Sequence, residues 1–166
     1  MRLSFRGKSG VLHDVEIKDK RVCHVVKRCL HLPGQELFQY KDPDGTLHSV
    51  SSGDVNDYLH ELCSERFTAK DFRTWHGSEL ALRMLRRHCG SQGKAPTLKQ
   101  LLAEVSGSLG NTPAVCRRAY IHPKVLELAA DLSAQKDCAD FDAVTPKHKA
   151  IAGLAAAEQR LVAFLS

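Results

Sequence analysis

The sequence predicts a mainly α-helical fold that opens with a small β-hairpin. Three observations carry this. Apolar and polar residues alternate over residues 2–17, with Leu3 and Phe5 set between Ser4 and Arg6, and the alternation breaks at Gly7-Lys8-Ser9-Gly10. Beyond residue 19 the apolar positions recur at three- and four-residue spacing instead, as in Val22, Val25, Val26, Cys29 and Leu30. Helix-start signals such as Thr112-Pro113, a capping hydroxyl followed by proline at the first helical position, recur along the chain.

The elements follow in order. Residues 1–18 form a hairpin with Lys8 at its basic tip, and residues 19–166 form the helical domain. A two-stranded ribbon is marginal alone, and no partner strand lies nearby in sequence, so something that belongs beside it is expected to be missing from this chain. Asp19 caps a helix reaching about His31, which Pro33-Gly34 ends. Leu37–Tyr40 and Leu47–Val50 flank the turn Asp42-Pro43-Asp44-Gly45 and read as a short hairpin or an ordered loop. Ser52 is expected to cap a helix to about Leu62, with Val55, Tyr58, Leu59 and Leu62 facing inward. Thr68 to Asp71 has the form of a capping box and opens a helix to about Arg87 that Gly77 could interrupt; Phe72, Trp75, Leu80, Met84 and Leu85 are its apolar residues. Residues 90–96 read as a loop. Thr97 caps a helix with Leu98, Leu101, Leu102, Val105 and Leu109 on one face, closed near Gly110. A short helix after Thr112-Pro113 carries Cys116, Arg117, Arg118 and Tyr120. Another spans about Pro123–Leu132, residues 133–144 read as a loop, and Thr145-Pro146 opens a last helix through Phe164.

Size and charge narrow the function. A chain of 166 residues with 43% hydrophobic content suits one domain with a real core. The formal charge of +5 fits a polyanionic partner and equally an ordinary basic enzyme. The six cysteines include no Cys-x-x-Cys pair and the histidines are scattered, so no zinc signature exists. Several cysteines sit on apolar helix faces, where a buried free thiol acts as a small hydrophobe. A reducing cytoplasmic setting, associated with the nucleoid, is the expectation. No apolar run is long enough to span a bilayer as a helix.

Tyr120 is the residue that points to chemistry. It follows two arginines in Asn111-Thr112-Pro113-Ala114-Val115-Cys116-Arg117-Arg118-Ala119-Tyr120, and a second basic island lies in Thr68-Ala69-Lys70-Asp71-Phe72-Arg73-Thr74-Trp75. A partly buried tyrosine at a helix end is ordinarily structural. A phenol attacks a phosphodiester only when cations stabilise the charge gathered there, and a guanidinium fork matches two phosphate oxygens. The i,i+3 step from Arg117 to Tyr120 allows both to face one side of a turn. Lys70 and Arg73 sit on a first helical turn, against the helix dipole, a placement that suits anion binding. Together these residues read as part of a phosphoryl-transfer enzyme acting on nucleic acid. Lys8 on a hairpin tip and Asn111 before a helix cap each have ordinary structural readings, and residue type alone does not separate those from a role at a phosphate.

These segments, with Phe5-Arg6-Gly7-Lys8-Ser9-Gly10 and Leu32-Pro33-Gly34-Gln35-Glu36-Leu37-Phe38, resemble in order the catalytic domain of type IB DNA topoisomerases, of the poxvirus-like kind found in bacteria. The fold implied is the helical catalytic core shared with tyrosine recombinases. The resemblance implies nicking of one strand of double-stranded DNA by a tyrosine, a 3′-phosphotyrosyl intermediate, rotation about the intact strand, and resealing. It makes Tyr120 the nucleophile and Arg73 a phosphate clamp. Lys8 becomes the donor of a proton to the leaving 5′ oxygen, and Asn111 a hydrogen-bond donor to a nonbridging oxygen where many relatives have histidine. Lys70, Arg117 and Arg118 would border the DNA. Neither ATP nor a metal is needed, since the phosphotyrosine conserves the bond and arginines carry the charge work. A monomer with no membrane partner is expected.

One departure bears on activity. The family has another catalytic arginine before the lysine hairpin and an N-terminal domain that closes around DNA. Arg2 and Arg6 lie on the strand itself and do not match that arginine, so the chain is expected to be a C-terminal fragment with weakened or absent cleavage. Two rivals remain open from the residues. A tyrosine recombinase typically shows His-x-x-Arg where this chain has Lys70-Asp71-Phe72-Arg73. A noncatalytic DNA-binding module would need none of the site.

Overall fold

The computed structural model describes residues 1–7, 10, 12–135, 138, 141 and 150–166. Among these the chain forms four short strands, β1 (Arg2–Arg6), β2 (Leu12–Glu16), β3 (Gln39–Lys41) and β4 (Leu47–Ser49). Seven helices accompany them: α1 (Lys20–Leu30), α2 (Ser52–Cys63), α3 (Ala69–Gln92), α4 (Leu98–Leu109), α5 (Pro113–Ala119), α6 (Pro123–Gln135) and α7 (Ala156–Leu165). The mainly helical fold expected from periodicity is the one observed. The chain packs as two compact units, Met1–Ala69 and Lys70–Ser166, and each is described separately.

The first unit is two antiparallel hairpins and two helices. In β1–β2, Arg2 pairs with Glu16 and Arg6 with Leu12. Gly10 takes a left-handed φ of 73°. In β3–β4, Tyr40 faces His48 across the pair and their rings stack at 5.1 Å. Asp19 caps α1 by accepting from the amides of Arg21 and Val22. The cap of α2 is Ser51 rather than Ser52, because Ser51 has Asp54 three residues on and the two close a capping box. The apolar stripes of both helices stay open. Val22, Val25, Tyr58 and Leu62 are exposed, and Val26 is the buried hydrophobic residue of this unit among those described. Periodicity places a face correctly but does not supply an element to cover it.

The second unit holds the core. Leu80, Leu82 and Leu85 of α3, Leu101 and Val105 of α4, Cys116 of α5, Val125 and Leu128 of α6 and Leu161 of α7 form one buried cluster. The α4 stripe is as the spacing predicts, with the Thr97–Gln100 capping box at its start and Gly110 in a left-handed φ of 64° at its end. Helix α3 differs from expectation. Gly77 does not interrupt it, and it continues past Arg87 through residues 90–92 to a stop at Gly93, whose φ is 62°. Phe72 is exposed. Helix α6 extends over Ser133–Gln135, which the sequence assigns to a loop. The expected start of the last helix at Thr145-Pro146 lies outside the described residues; within them, residues 150–155 are not helical and Gly153 takes a φ of 86°, so the helix starts at Ala156. Cys89 and Cys138 form a disulfide with Cα atoms 5.0 Å apart, a pairing that the reading of several cysteines as buried thiols does not anticipate.

Glu158 of α7 is half-buried. Its carboxylate accepts from the Ala155 amide at 2.8 Å and from the Trp75 indole N–H at 3.0 Å, which links α7 to α3. Those two donors, the backbone one first, hold its carboxyl below the ordinary value of 4.5. A depressed folded-state value means that the unfolded chain binds the proton more readily. The stabilisation is therefore complete above the ordinary value and is lost as pH falls through the folded one. Thermal midpoints measured from pH 7 downwards are expected to fall more steeply below about pH 4.5 in the native chain than in Glu158→Gln. Parallel curves would contradict that assignment.

Candidate active site

Helix α5 starts where its sequence says, with Thr112 capping through its hydroxyl to the Val115 amide and Pro113 in the first turn. It is short because Tyr120 leaves helical geometry, with φ −130° and ψ 1°, and caps the C-terminus. The Tyr120 ring is half-buried and packs against the edge of the core. The guanidinium of Arg73 lies over that ring, its Cζ 4.9 Å from the centroid. Arg73 is otherwise exposed and makes no ion pair among the described residues.

A single carbonyl organises the neighbourhood. Leu109 O accepts from Arg73 Nη2 at 2.7 Å and from Asn111 Nδ2 at 3.0 Å. Arg73 and Asn111 thus converge on one point from α3 and from the loop between α4 and α5. Each keeps further N–H donors beyond the one given to Leu109, since a guanidinium has five and an amide two. Beneath them Cys116 is fully buried. Burial pushes its thiol up, with the Arg73 charge opposing, so it stays a protonated core residue rather than a rival nucleophile.

The backbone on both sides of Tyr120 is gripped by one face of α3. The Thr74 hydroxyl donates to Ala119 O at 3.1 Å. The His122 amide donates to Ser78 Oγ at 2.9 Å, and that hydroxyl in turn donates to Thr74 O at 2.7 Å. Between them Gly77 is in such close approach that a β-carbon there would overlap the Tyr120 carbonyl oxygen. Sequence reasoning missed Thr74, Gly77 and Ser78. The available signal was a glycine inside a strongly helical pattern, which more often marks close packing than a break.

The structure therefore brings Tyr120, Arg73 and Asn111 together. It does not place Arg117 on the Tyr120 ring; that position belongs to Arg73, because Tyr120 has left the helix on which an i,i+3 pair would meet. Arg117, Arg118 and Lys70 are exposed, with no ion pair among the described residues. Lys8 lies outside the described residues. Among those described, no cluster of three or more His, Cys, Asp or Glu could hold a metal ion, and no helix is long and apolar enough to cross a membrane.

The site is thus a half-buried phenol with a guanidinium over its ring, and an amide donor that shares the Leu109 carbonyl with that guanidinium. Residues 1–140 match the family described as eukaryotic DNA topoisomerase I, catalytic core, and the chain belongs to that family. It is 32% identical over 138 residues to DNA topoisomerase 1B of Acanthamoeba polyphaga mimivirus, an alignment covering 76% of this chain and 40% of that protein. That alignment thus spans about two fifths of the relative's length.

Proposed function

We propose that this chain is a catalytic portion of a type IB DNA topoisomerase, one that relaxes duplex DNA in the cytoplasm beside the nucleoid. The observation that carries the reading is the Arg73 guanidinium held over the Tyr120 ring in a member of this family. Tyr120 Oη attacks a phosphodiester and its proton leaves; the P–O5′ bond breaks as a 3′-phosphotyrosyl bond forms, and the 5′ oxygen takes up a proton. On the sequence resemblance, Lys8 supplies that proton. The reverse transfer reseals the strand after rotation, with no net consumption of bond energy and so no requirement for ATP.

Arg73 and Asn111 serve the pentacoordinate state. Fixed donors that meet oxygens gaining charge stabilise the transition state more than the ground state. Exposed Lys70, Arg117 and Arg118 bind flanking phosphates, which fixes position more than sequence choice. A monomer suffices, because every group named is on one chain. The test is relaxation of supercoiled plasmid without ATP and with a chelator present. Stepwise relaxation, however slow, that Tyr120→Phe lacks supports the reading; strand exchange between paired duplexes, or relaxation retained in Tyr120→Phe, overturns it.

A further inference from the structure

We propose that helix α1 is a phosphate-binding surface that takes the backbone of duplex DNA. The inference rests on the functional reading above only for the identity of the polyanion.

Helix α1 is two-faced to an unusual degree. At 100° per residue, Lys20, Arg21, His24, Lys27, Arg28 and His31 fall within a wedge of about 120°. All six are exposed, and α1 contains no acidic residue at all. Arg21 leans to the capping Asp19 at 3.4 Å, while Lys20, Lys27 and Arg28 make no ion pair among the described residues. A merely solvated helix of this charge would ordinarily interleave glutamates at i,i+4, which stabilise it at no cost to solubility. Here the like charges at Lys20, Lys27 and Arg28 repel one another, and a polyanion relieves that. From Lys20 to His31 the stripe runs about 16 Å, comparable to the rise of five base pairs.

A lipid surface is the other polyanion that fits a basic amphipathic helix. It is the weaker match, because the opposite face of α1 is built of valines, two cysteines and one leucine and has no tryptophan or phenylalanine to enter a headgroup layer.

The test is equilibrium binding of the whole chain to a short labelled duplex across a salt series, for the native chain and for Lys20→Gln/Lys27→Gln/Arg28→Gln. Glutamine keeps helix propensity near that of lysine and arginine, and far-ultraviolet circular dichroism verifies the fold. The triple variant is expected to bind at least tenfold more weakly near physiological salt. The slope of log K against log salt should shrink by about 2 to 3, at roughly 0.9 per phosphate contact. Protection of the Lys20 and Lys27 amines from acylation when duplex is added to the native chain reads the same contact without any mutation. Unchanged affinity and slope together with unprotected amines overturns the proposal, as does displacement of the duplex from these amines by phosphatidylserine vesicles. A native chain that binds no duplex overturns the functional reading itself, so the two failures are distinct.

Discussion

Replacing Arg73 with alanine is expected to slow covalent capture of DNA by about 10²–10³-fold while leaving duplex affinity nearly unchanged, by analogy with loss of one oxyanion-hole donor. The split follows from where Arg73 stands. Its guanidinium is exposed and gives one bond to Leu109 O, so the fold loses little when it goes. Its guanidinium lies over the Tyr120 ring, and in the proposed reaction its remaining donors would act on charge that develops only during transfer. Arg73→Lys retains a cation without the planar fork and should recover only part of the rate. Single-turnover capture on a suicide duplex measures this. A rate within threefold of native for Arg73→Ala would remove Arg73 from the chemistry.

The second large effect is expected from a single methyl group. Gly77→Ala puts a β-carbon onto the Tyr120 carbonyl oxygen, a backbone atom that cannot rotate aside. Overpacking of this kind costs about 1–3 kcal/mol, and relief must come from moving the segment that carries the phenol. Both stability and capture rate should therefore fall. Gly90→Ala is the matched comparison: Gly90 lies in the same helix, and a β-carbon there meets nothing within 4 Å. That change is expected to be neutral or to stabilise by roughly 0.5–1 kcal/mol, as alanine outranks glycine in helices. Equal behaviour of the two variants in thermal unfolding and capture would show that the close approach at Gly77 does not matter.

The helices of the second unit were legible because their information is local. Thr97 and Gln100 close a box within three residues, and Leu101, Leu102 and Val105 show their face by spacing alone. The same logic over-reached in the first unit. The stripe of Val22, Val25 and Leu30 was correctly located, yet a stripe says nothing about a covering partner, and these residues are exposed.

At the site, a tyrosine set among arginines is legible in the sequence, but which arginine meets its ring is not. Helical spacing favoured Arg117, whereas contact with the ring is made by Arg73, which reaches Tyr120 only through the packing of α3 on α5. It was the family resemblance that selected Arg73. Thr74 and Ser78 escaped notice for the same reason, since their partners at Ala119 and His122 are distant in sequence. The Cys89–Cys138 pair, 49 residues apart, is equally nonlocal.

The most direct measurement is the site and sense of the covalent bond. A suicide duplex whose cleaved end dissociates traps each event irreversibly, so even a slow chain accumulates adduct. After proteolysis, mass spectrometry of the nucleotide-linked peptide should find a 3′-phosphoryl group on Tyr120 and a free 5′-hydroxyl on the released strand. Attachment to Tyr40 or Tyr58, a 5′ linkage, or equal adduct from Tyr120→Phe would contradict the account.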